Sequence, residues 1–275
     1  MTDSREPGPP RPKKSLGQNF LRDPNLVRKL IAAVDPGPGD AVLEYGCGTG
    51  VLTRPLAAAG ARVLGVEVDR DLLRRLRDDP ALAAVTLVEE GLEAWPPRRA
   101  AELLGASRVK LVGNLPYQLS STALFAAVDD ADRVERAVVM LQREVAERVE
   151  TAPGGRRYGI LPALIQARFA VERVLDAGPR AFFPPPAVRS RALRLTPLAA
   201  PRVAPALWPR YRELVKTLFR ERRKQLGGLL KKYYGPAGSD LLELVAAAGV
   251  SPDRRPETLS VEEMARLAER LDPLP

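Results

Sequence analysis

Val42-Leu43-Glu44-Tyr45-Gly46-Cys47-Gly48-Thr49-Gly50 is the stretch that decides the fold. A short apolar strand runs into glycines at alternate positions. Leu52 and the alanine-rich stretch to Ala59 then read as a helix, despite Pro55 in its early turns. Glycine lets the backbone turn sharply and approach a ligand with no Cβ in the way. A second strand, Arg62 to Val68, leads to Glu67 and Asp69, about 20 residues after the first glycine, where a carboxylate can grip ribose hydroxyls. Such a unit holds an adenosine cofactor. The spacing is G-x-G-x-G, unlike the dinucleotide G-x-G-x-x-G, and Glu44 stands just before the loop. A carboxylate there repels a pyrophosphate and suits the cationic methionine end of S-adenosyl-L-methionine (SAM), so the reading favours SAM over NAD.

Working outward, the apolar run Val109 to Val112 ends in Asn114-Leu115-Pro116-Tyr117. An amine conjugated to a base ring is a poor nucleophile. It improves when acceptors hold its hydrogens as the nitrogen becomes tetrahedral. The Asn114 side-chain oxygen and the carbonyl before or at Pro116 are suited to that task. Proline fixes the turn and removes a competing N–H, and Tyr117 offers a face on which a base can stack. An ordinary strand-to-loop exit uses the same four letters; the glycine turn upstream is what points to methyl transfer onto a planar exocyclic amine.

Composition narrows the chemistry. The 275 residues suffice for one large domain and a small one. With no apolar run of about 20 residues and no signal-peptide pattern, a cytoplasmic protein is expected. Cys47 is the one cysteine, which forbids an internal disulfide or a cysteine-cluster metal site. Histidine is absent altogether, removing the usual general base and the commonest zinc ligand, so no metal is expected. Transfer from a sulfonium fits that restriction, because the leaving group departs neutral and the product's proton is lost to water. A formal charge of +9 points to an anionic partner, most simply nucleic acid. Arginine supplies 35 of the 43 basic residues, for which a GC-rich genome, a hot habitat and phosphate recognition are equally good accounts.

Residues 1–12, proline-rich and polar, read as a disordered tail. Asp23 and Pro24 open a helix through Val34 as cap and first turn. Further strands are expected at Val85 to Glu90, Lys110 to Leu115, Ala137 to Leu141, around Val171 to Leu175, and at Ala192 to Leu195, with helices such as Asp71 to Arg77 and Glu144 to Val149 between them. The alternation predicts an α/β fold: a doubly wound, parallel, Rossmann-like sheet with its ligand at the carboxyl ends of the strands; joined to the SAM reading of the glycine turn, it is expected to be a SAM-dependent methyltransferase sheet. From about residue 200 only helices are expected. The domains are therefore drawn as 13–198, catalytic and SAM-binding, and 199–275, a small helical RNA-binding domain.

These motifs, in this order, resemble the small-subunit (16S) ribosomal RNA adenine N6,N6-dimethyltransferases, the bacterial kasugamycin-susceptibility enzymes. Lys13 to Leu21 (KKSLGQNFL) matches the family's opening signature, Val42 to Thr53 its SAM loop and Asn114 to Tyr117 its catalytic tetrapeptide. Met140 to Val149, Tyr158-Gly159, Ala181 to Pro186 (AFFPPP), Arg222-Arg223-Lys224 and Arg255 to Leu259 match later segments. The resemblance implies dimethylation of adenines in 16S RNA within a small-subunit (30S) assembly particle, a part in ribosome biogenesis, and a monomeric enzyme. It further implies that Asn19 and Leu21 contact SAM, Gly46 backs its methionine, Glu67 binds the ribose, Glu90 accepts from its adenine amine, and Asn114 lies between cofactor and target. Phe182 reads bottom-up as a core phenylalanine, and by resemblance as a second stacking face, with Phe183 the alternative. Departures from the family stand at Tyr45, Cys47 and Glu90, near the cofactor, and at Ala187 and Gly227-Gly228, where RNA contacts are expected.

Two other functions use the same scaffold: a large-subunit adenine methyltransferase conferring antibiotic resistance, and an RNA-binding assembly factor. Gly17, the Arg222 to Lys224 run and the Arg255 to Leu259 segment favour the small-subunit branch, and an intact Asn114, Pro116 and Tyr117 argues for catalysis. For RNA binding, residues 202–232 hold ten Lys or Arg against Glu213 and Glu221. Read as one helix, Tyr211, Leu214, Val215, Leu218, Phe219, Leu226 and Leu230 form an apolar stripe. Arg212, Lys216, Arg220 and Lys224 form a basic ridge, joined by Arg222 and Arg223. A merely solvated helix face has the same pattern; the scarcity of acids favours phosphate contacts.

Overall fold

Segments such as Val42-Leu43 and Val63-Leu64 carry apolar side chains at adjacent positions, which an extended strand points to opposite faces, so both faces must be covered. The computed structural model describes residues 11–234 and 238–271, apart from the side chains of Tyr117 and residues 238–240; residues 1–10 of the expected tail lie outside that description. The order of elements begins β1 (Phe20–Leu21), α1 (Pro24–Val34), β2 (Ala41–Tyr45), α2 (Thr53–Ala58), β3 (Arg62–Glu67), α3 (Arg70–Arg77), β4 (Thr86–Glu89), α4 (Pro97–Leu103), β5 (Val109–Asn114), α5 (Ser120–Asp129) and β6 (Val134–Gln142). It continues through α6 (Arg143–Val149), α7 (Ile160–Arg168), β7 (Phe169–Ala177), β8 (Phe182–Phe183), β9 (Ser190–Pro197), α8 (Trp208–Phe219), α9 (Leu226–Tyr234), α10 (Gly238–Ala247) and α11 (Val261–Arg270).

Among the described residues a seven-stranded sheet runs in the order β4-β3-β2-β5-β6-β9-β7. Strands β2, β3, β4, β5 and β6 pair in parallel. All of β2 is buried, as the apolar run requires. From β2 the chain winds out to β3 and β4, then returns to add β5 on the other side. Strand order thus reverses between β2 and β5, the switch point at which open α/β sheets bind ligands. The doubly wound, Rossmann-like sheet is as expected, with one difference from the parallel reading: the sheet is mixed. Adjacent strands β7 and β9 are joined by residues 178–189, which carry only a 3-10 turn and β8; the helix that usually carries a parallel crossover is missing from this connection. The two-residue strands β1 and β8 form a separate antiparallel pair that periodicity is too short to signal.

Local signals explain the helices around the sheet. Asp23 caps α1, its carboxylate accepting from the N–H groups of Asn25 and Leu26, with Pro24 in the first turn. In α3, Leu72, Leu73 and Leu76 are buried while Arg74, Arg75 and Arg77 lie in its last turn.

The chain divides into two compact units: residues up to Arg143 with Arg173–Arg194, and Glu144–Glu172 with the chain from Leu195 on. Compactness therefore departs from the single boundary read between 198 and 199. The reason lies in α7, which is buried along most of its length and packs with α8 and α11. Tyr211 of α8 donates its hydroxyl to the Ala163 carbonyl at 3.0 Å, and the Tyr158 and Phe219 rings meet edge-on at 5.9 Å.

The single helix read over 202–232 is also corrected. Helix α8 stops at Phe219 and α9 starts at Leu226. Between them Glu221 accepts from Lys224, Lys232 and Tyr233, contacts that pull its carboxyl down to about 2. The N–H groups of Leu226 and Gly227 are taken by the carbonyls of Arg254 and Pro252. Gly227 fits closely there: an added Cβ would lie 3.1 Å from Pro252 Cβ, so the proline would have to give by a few tenths of an ångström. The apolar stripe is nonetheless largely where the sequence put it, with Tyr211, Leu214, Val215, Leu218, Leu226 and Leu230 buried and Phe219 half-buried.

Candidate active site

A cleft of about 280 Å³ opens at the carboxyl ends of β2, β3 and β5. Its lining includes the glycine turn, Glu44, Glu67, Glu90, Asn114, Pro116 and Phe182. Sequence order spreads these residues over more than a hundred positions; the switch point brings them together.

Glu44, on β2, is 1% exposed, and its Oε2 is buried without a hydrogen-bond partner among the described residues. Burial pushes its carboxyl up to about 8; the nearby Thr53 hydroxyl pulls it down and Glu67 pushes it further up. A buried carboxylate with an unused oxygen in a cleft calls for a cation. Beside it, Gly46 has φ +73°, and the position of an added Cβ is empty to 4 Å, so its backbone stands bare to the cleft. Both features fit an amino-acid-bearing adenosine cofactor.

Glu67 ends β3 with both oxygens in use. Oε2 accepts from the Gly48 N–H at 2.9 Å, and Oε1 from those of Val68 and Asp69 at 2.9 and 3.0 Å. A carboxylate has about four acceptor sites, so capacity remains for a ligand hydroxyl. Asp69, the other carboxylate at the end of this strand, is committed elsewhere: it caps α3 and binds Lys13 and Gln18. Glu90 is exposed at the rim, with Arg99 at 3.6 Å.

Asn114 ends β5, opposite Met140 in the register with β6, and donates Nδ2 to the Asn19 carbonyl at 3.0 Å. The Pro116 carbonyl accepts from the Leu119 N–H at 2.9 Å. Tyr117 lies in a 3-10 turn, and its side chain is outside the described residues. Phe182 is 3% exposed and packs in a core cluster with Leu21, while Phe183 is 48% exposed.

The departures near the cofactor divide in two. Cys47 lines the cleft, whereas Tyr45 is wholly buried and donates its hydroxyl to the Trp95 carbonyl at 2.6 Å, tying β2 to the loop after β4. Ala187 is exposed. Sequence reasoning missed Phe20, whose ring lies against Gly48, and Gln18, Gln118 and Met140 in the lining. None has a residue type that announces a site.

The basic residues read as RNA contacts all lie in the second unit. Lys216, Arg220, Arg222, Arg223 and Lys224 are exposed and Arg212 is half-buried. The helix break places Arg220 at the end of α8 and Lys224 in the turn, so no continuous ridge exists. Arg220 stands over the Tyr233 ring at 5.6 Å, Lys224 pairs with Glu221, and Arg222 with Glu257 at 3.8 Å. Among the described residues no helix is long and apolar enough to cross a membrane.

The family model for ribosomal RNA adenine dimethylase matches residues 11–273. The chain is 42% identical over 267 residues to the ribosomal RNA small subunit methyltransferase A of Syntrophotalea carbinolica, covering 96% of this chain and 98% of that one. A dimethyladenosine transferase from Plasmodium falciparum shares the fold, with TM-score 0.74 at 21% identity over 90% of this chain and 95% of that one. The 23S rRNA methyltransferase ErmE gives 0.67 at 27% identity over 92% and 99%. A switch-point cleft with an acidic glycine turn, an asparagine and proline closing its central strand, and a match along nearly the whole sequence lead to one conclusion: the chain belongs to the ribosomal RNA adenine dimethylase family.

Proposed function

We propose that this enzyme uses SAM to dimethylate N6 of adenines in small-subunit ribosomal RNA. The observation that carries the reading is a single cleft lined both by the glycine turn with Glu44 and Glu67 and by Asn114 and Pro116. When bound, SAM supplies a methyl carbon on a sulfonium that leaves as a neutral thioether. Glu44 faces the amino-acid cation, Gly46 admits the methionine chain, Glu67 holds the ribose and Glu90 the adenine amine, with Asn19 and Leu21 along the wall.

Asn114 accepts one N–H of the target amine through Oδ1. The Leu115 carbonyl takes the second, since that of Pro116 already accepts from Leu119. Both bonds strengthen as the nitrogen pyramidalises, which favours the transition state over the ground state. The nitrogen–methyl bond forms as the sulfur–methyl bond breaks, and the surplus proton on nitrogen passes to water. With no histidine in the chain, no imidazole takes part. Tyr117 and Phe182 hold the flipped adenine by its faces, and basic residues of the second unit, Arg212, Lys216, Arg220, Arg222, Arg223 and Lys224, hold phosphates.

The substrate in this reading is RNA within an assembling 30S particle, and the enzyme acts as a cytoplasmic monomer in ribosome biogenesis, with 13–198 carrying the chemistry and 199–275 the RNA contacts. Identity of 42% to a small-subunit enzyme against 27% to a 23S enzyme favours this branch. Mapping N6-methylated adenines on ribosomal RNA from cells lacking the protein tests it. The small-subunit dimethyladenines should vanish and return with the intact chain, but not with Asn114→Ala. Loss confined to large-subunit RNA, or no loss, overturns it.

A further inference from the structure

Lys13, Gln18, Asn19, Asp69 and Asn114 are joined by hydrogen bonds and by the Gln18–Asn19 peptide bond, beside the part of the cleft lined by Gln18, Asn19 and Asn114. Lys13 Nζ donates to Asp69 Oδ1 at 2.6 Å and to Asp71 Oδ2 at 2.8 Å. Gln18 Nε2 donates to the other Asp69 oxygen at 2.8 Å, while its Oε1 accepts from the Lys13 N–H at 2.7 Å. The turn between them is thus closed on itself and fastened to the start of α3. One residue further on, the Asn19 carbonyl accepts from Asn114 Nδ2 at 3.0 Å, and the Asn19 side chain returns a hydrogen bond to the Gly17 carbonyl at 3.1 Å. Beyond Asn19, Phe20 and Leu21 pair with β8. The segment is therefore pinned on both sides of the carbonyl that accepts from Asn114.

That carbonyl is selective. A backbone oxygen can only accept, so it favours the Asn114 amide with nitrogen toward it and repels the flipped form, in which two oxygens would meet. The favoured orientation turns Oδ1 away from that carbonyl and leaves it unengaged by it.

We propose that Lys13 and Gln18, by clasping Asp69, are positioning residues for Asn114: they hold the Asn19 carbonyl where it keeps the asparagine oxygen free for the target amine. The proposal rests on the catalytic reading of Asn114 given above. Asp69 makes a strong anchor because its side chain is 2% exposed and its two oxygens are divided between Lys13 and Gln18. The Lys13–Asp71 contact is solvent-exposed and adds little.

The test is a cycle of variants in the full-length enzyme, measured as turnover at saturating SAM and RNA, with S-adenosylhomocysteine binding and thermal midpoint as checks of folding. Lys13→Met with Gln18→Leu should lower kcat about tenfold, the scale of a misplaced reacting group, with KM for SAM changed by less than about threefold. Lys13→Arg should restore most of the loss. In an Asn114→Ala background the same pair should have no further effect, because the clasp acts only through that side chain. Equal losses in both backgrounds, or a loss confined to KM, overturn the clasp alone. Undiminished turnover by Asn114→Ala by itself overturns the catalytic reading and the clasp's purpose with it.

Discussion

Leu21 and Phe182 face each other across the β1–β8 pair, both almost wholly buried and both lining the cleft. The next pair, Phe20 and Phe183, leaves the Phe183 ring half in water. Phe182→Ala should therefore cost about 3–5 kcal/mol of folding stability, as for a core phenylalanine, whereas Phe183→Ala should change it by less than about 0.5 kcal/mol. Chemical denaturation decides that part. Phe182→Leu, which keeps most of the volume, separates packing from stacking: kcat/KM for RNA should fall by the equivalent of about 1–3 kcal/mol while the fold survives. If only Phe183 variants lose activity, the base stacks on the exposed ring instead.

Glu44 makes cofactor binding sensitive to pH. Its carboxyl is raised from 4.5 to about 8 in the free protein, so the stability it contributes is complete below about pH 4.5 and is lost as pH rises through about 8. A cationic group placed against it reverses the preference and expels the proton. SAM affinity should accordingly rise between pH 5 and 8, with up to about one proton released per molecule bound near pH 6.5. Calorimetry in buffers of different ionisation enthalpy counts that proton. Glu44→Gln should bind more weakly, release none, and show a thermal midpoint less dependent on pH over this range; an unchanged proton count in that variant would assign the release elsewhere.

At Glu67 the familiar carboxylate-to-amide substitution is not a mild one. Both oxygens receive backbone N–H groups, from Gly48 on one side and from Val68 and Asp69 on the other. A glutamine must turn its NH2 against one of those donors. Glu67→Gln should thus weaken SAM binding by about 1–3 kcal/mol, as much as Glu67→Ala, because each leaves backbone donors unmet in the turn that forms the cleft. Titration of both variants checks this, and near-normal affinity in the glutamine form would mean that the turn holds without the carboxylate.

The sheet was legible because its signal is local: apolar runs such as Val42-Leu43 and Leu111-Val112, each closed by glycine or asparagine, give strand, turn and edge of site within a few residues. Glu44, Gly46, Glu67 and Asn114 were readable for the same reason, since each sits where a strand ends. What was not readable depends on partners distant in sequence. Asp69 looks like Glu67 on paper, and Lys13 and Gln18, fifty-six and fifty-one positions away, decide that Asp69 is fastened to the N-terminal segment while Glu67 lines the cleft. Residues 202–232 keep a helical period across a break because Leu226 and Leu230 remain buried in α9 after the turn. Nothing local announces that Glu221 will gather Lys224, Lys232 and Tyr233 where the helix breaks.

That break changes which cations of the second unit should matter for RNA. Lys224 is held by Glu221 and Arg222 lies near Glu257, so part of their charge is already balanced. Lys216, on α8, and Arg223, in the turn, are exposed. Each phosphate contact contributes a slope of about 0.7–0.9 in log affinity against log salt, through release of condensed counterions. Changing Lys216 and Arg223 together to Gln should reduce the slope by about 1.5 and weaken binding at low salt, with SAM affinity untouched. Changing Lys224 and Arg222 should have the smaller effect, because a cation paired with a carboxylate must surrender that partner before it gains a phosphate. Salt-dependent binding of a small-subunit RNA fragment to the two double variants decides the order. Equal reductions would mean that the ion pairs open at no cost, and an unaltered slope in both would move the phosphate-binding surface away from α8 and its turn.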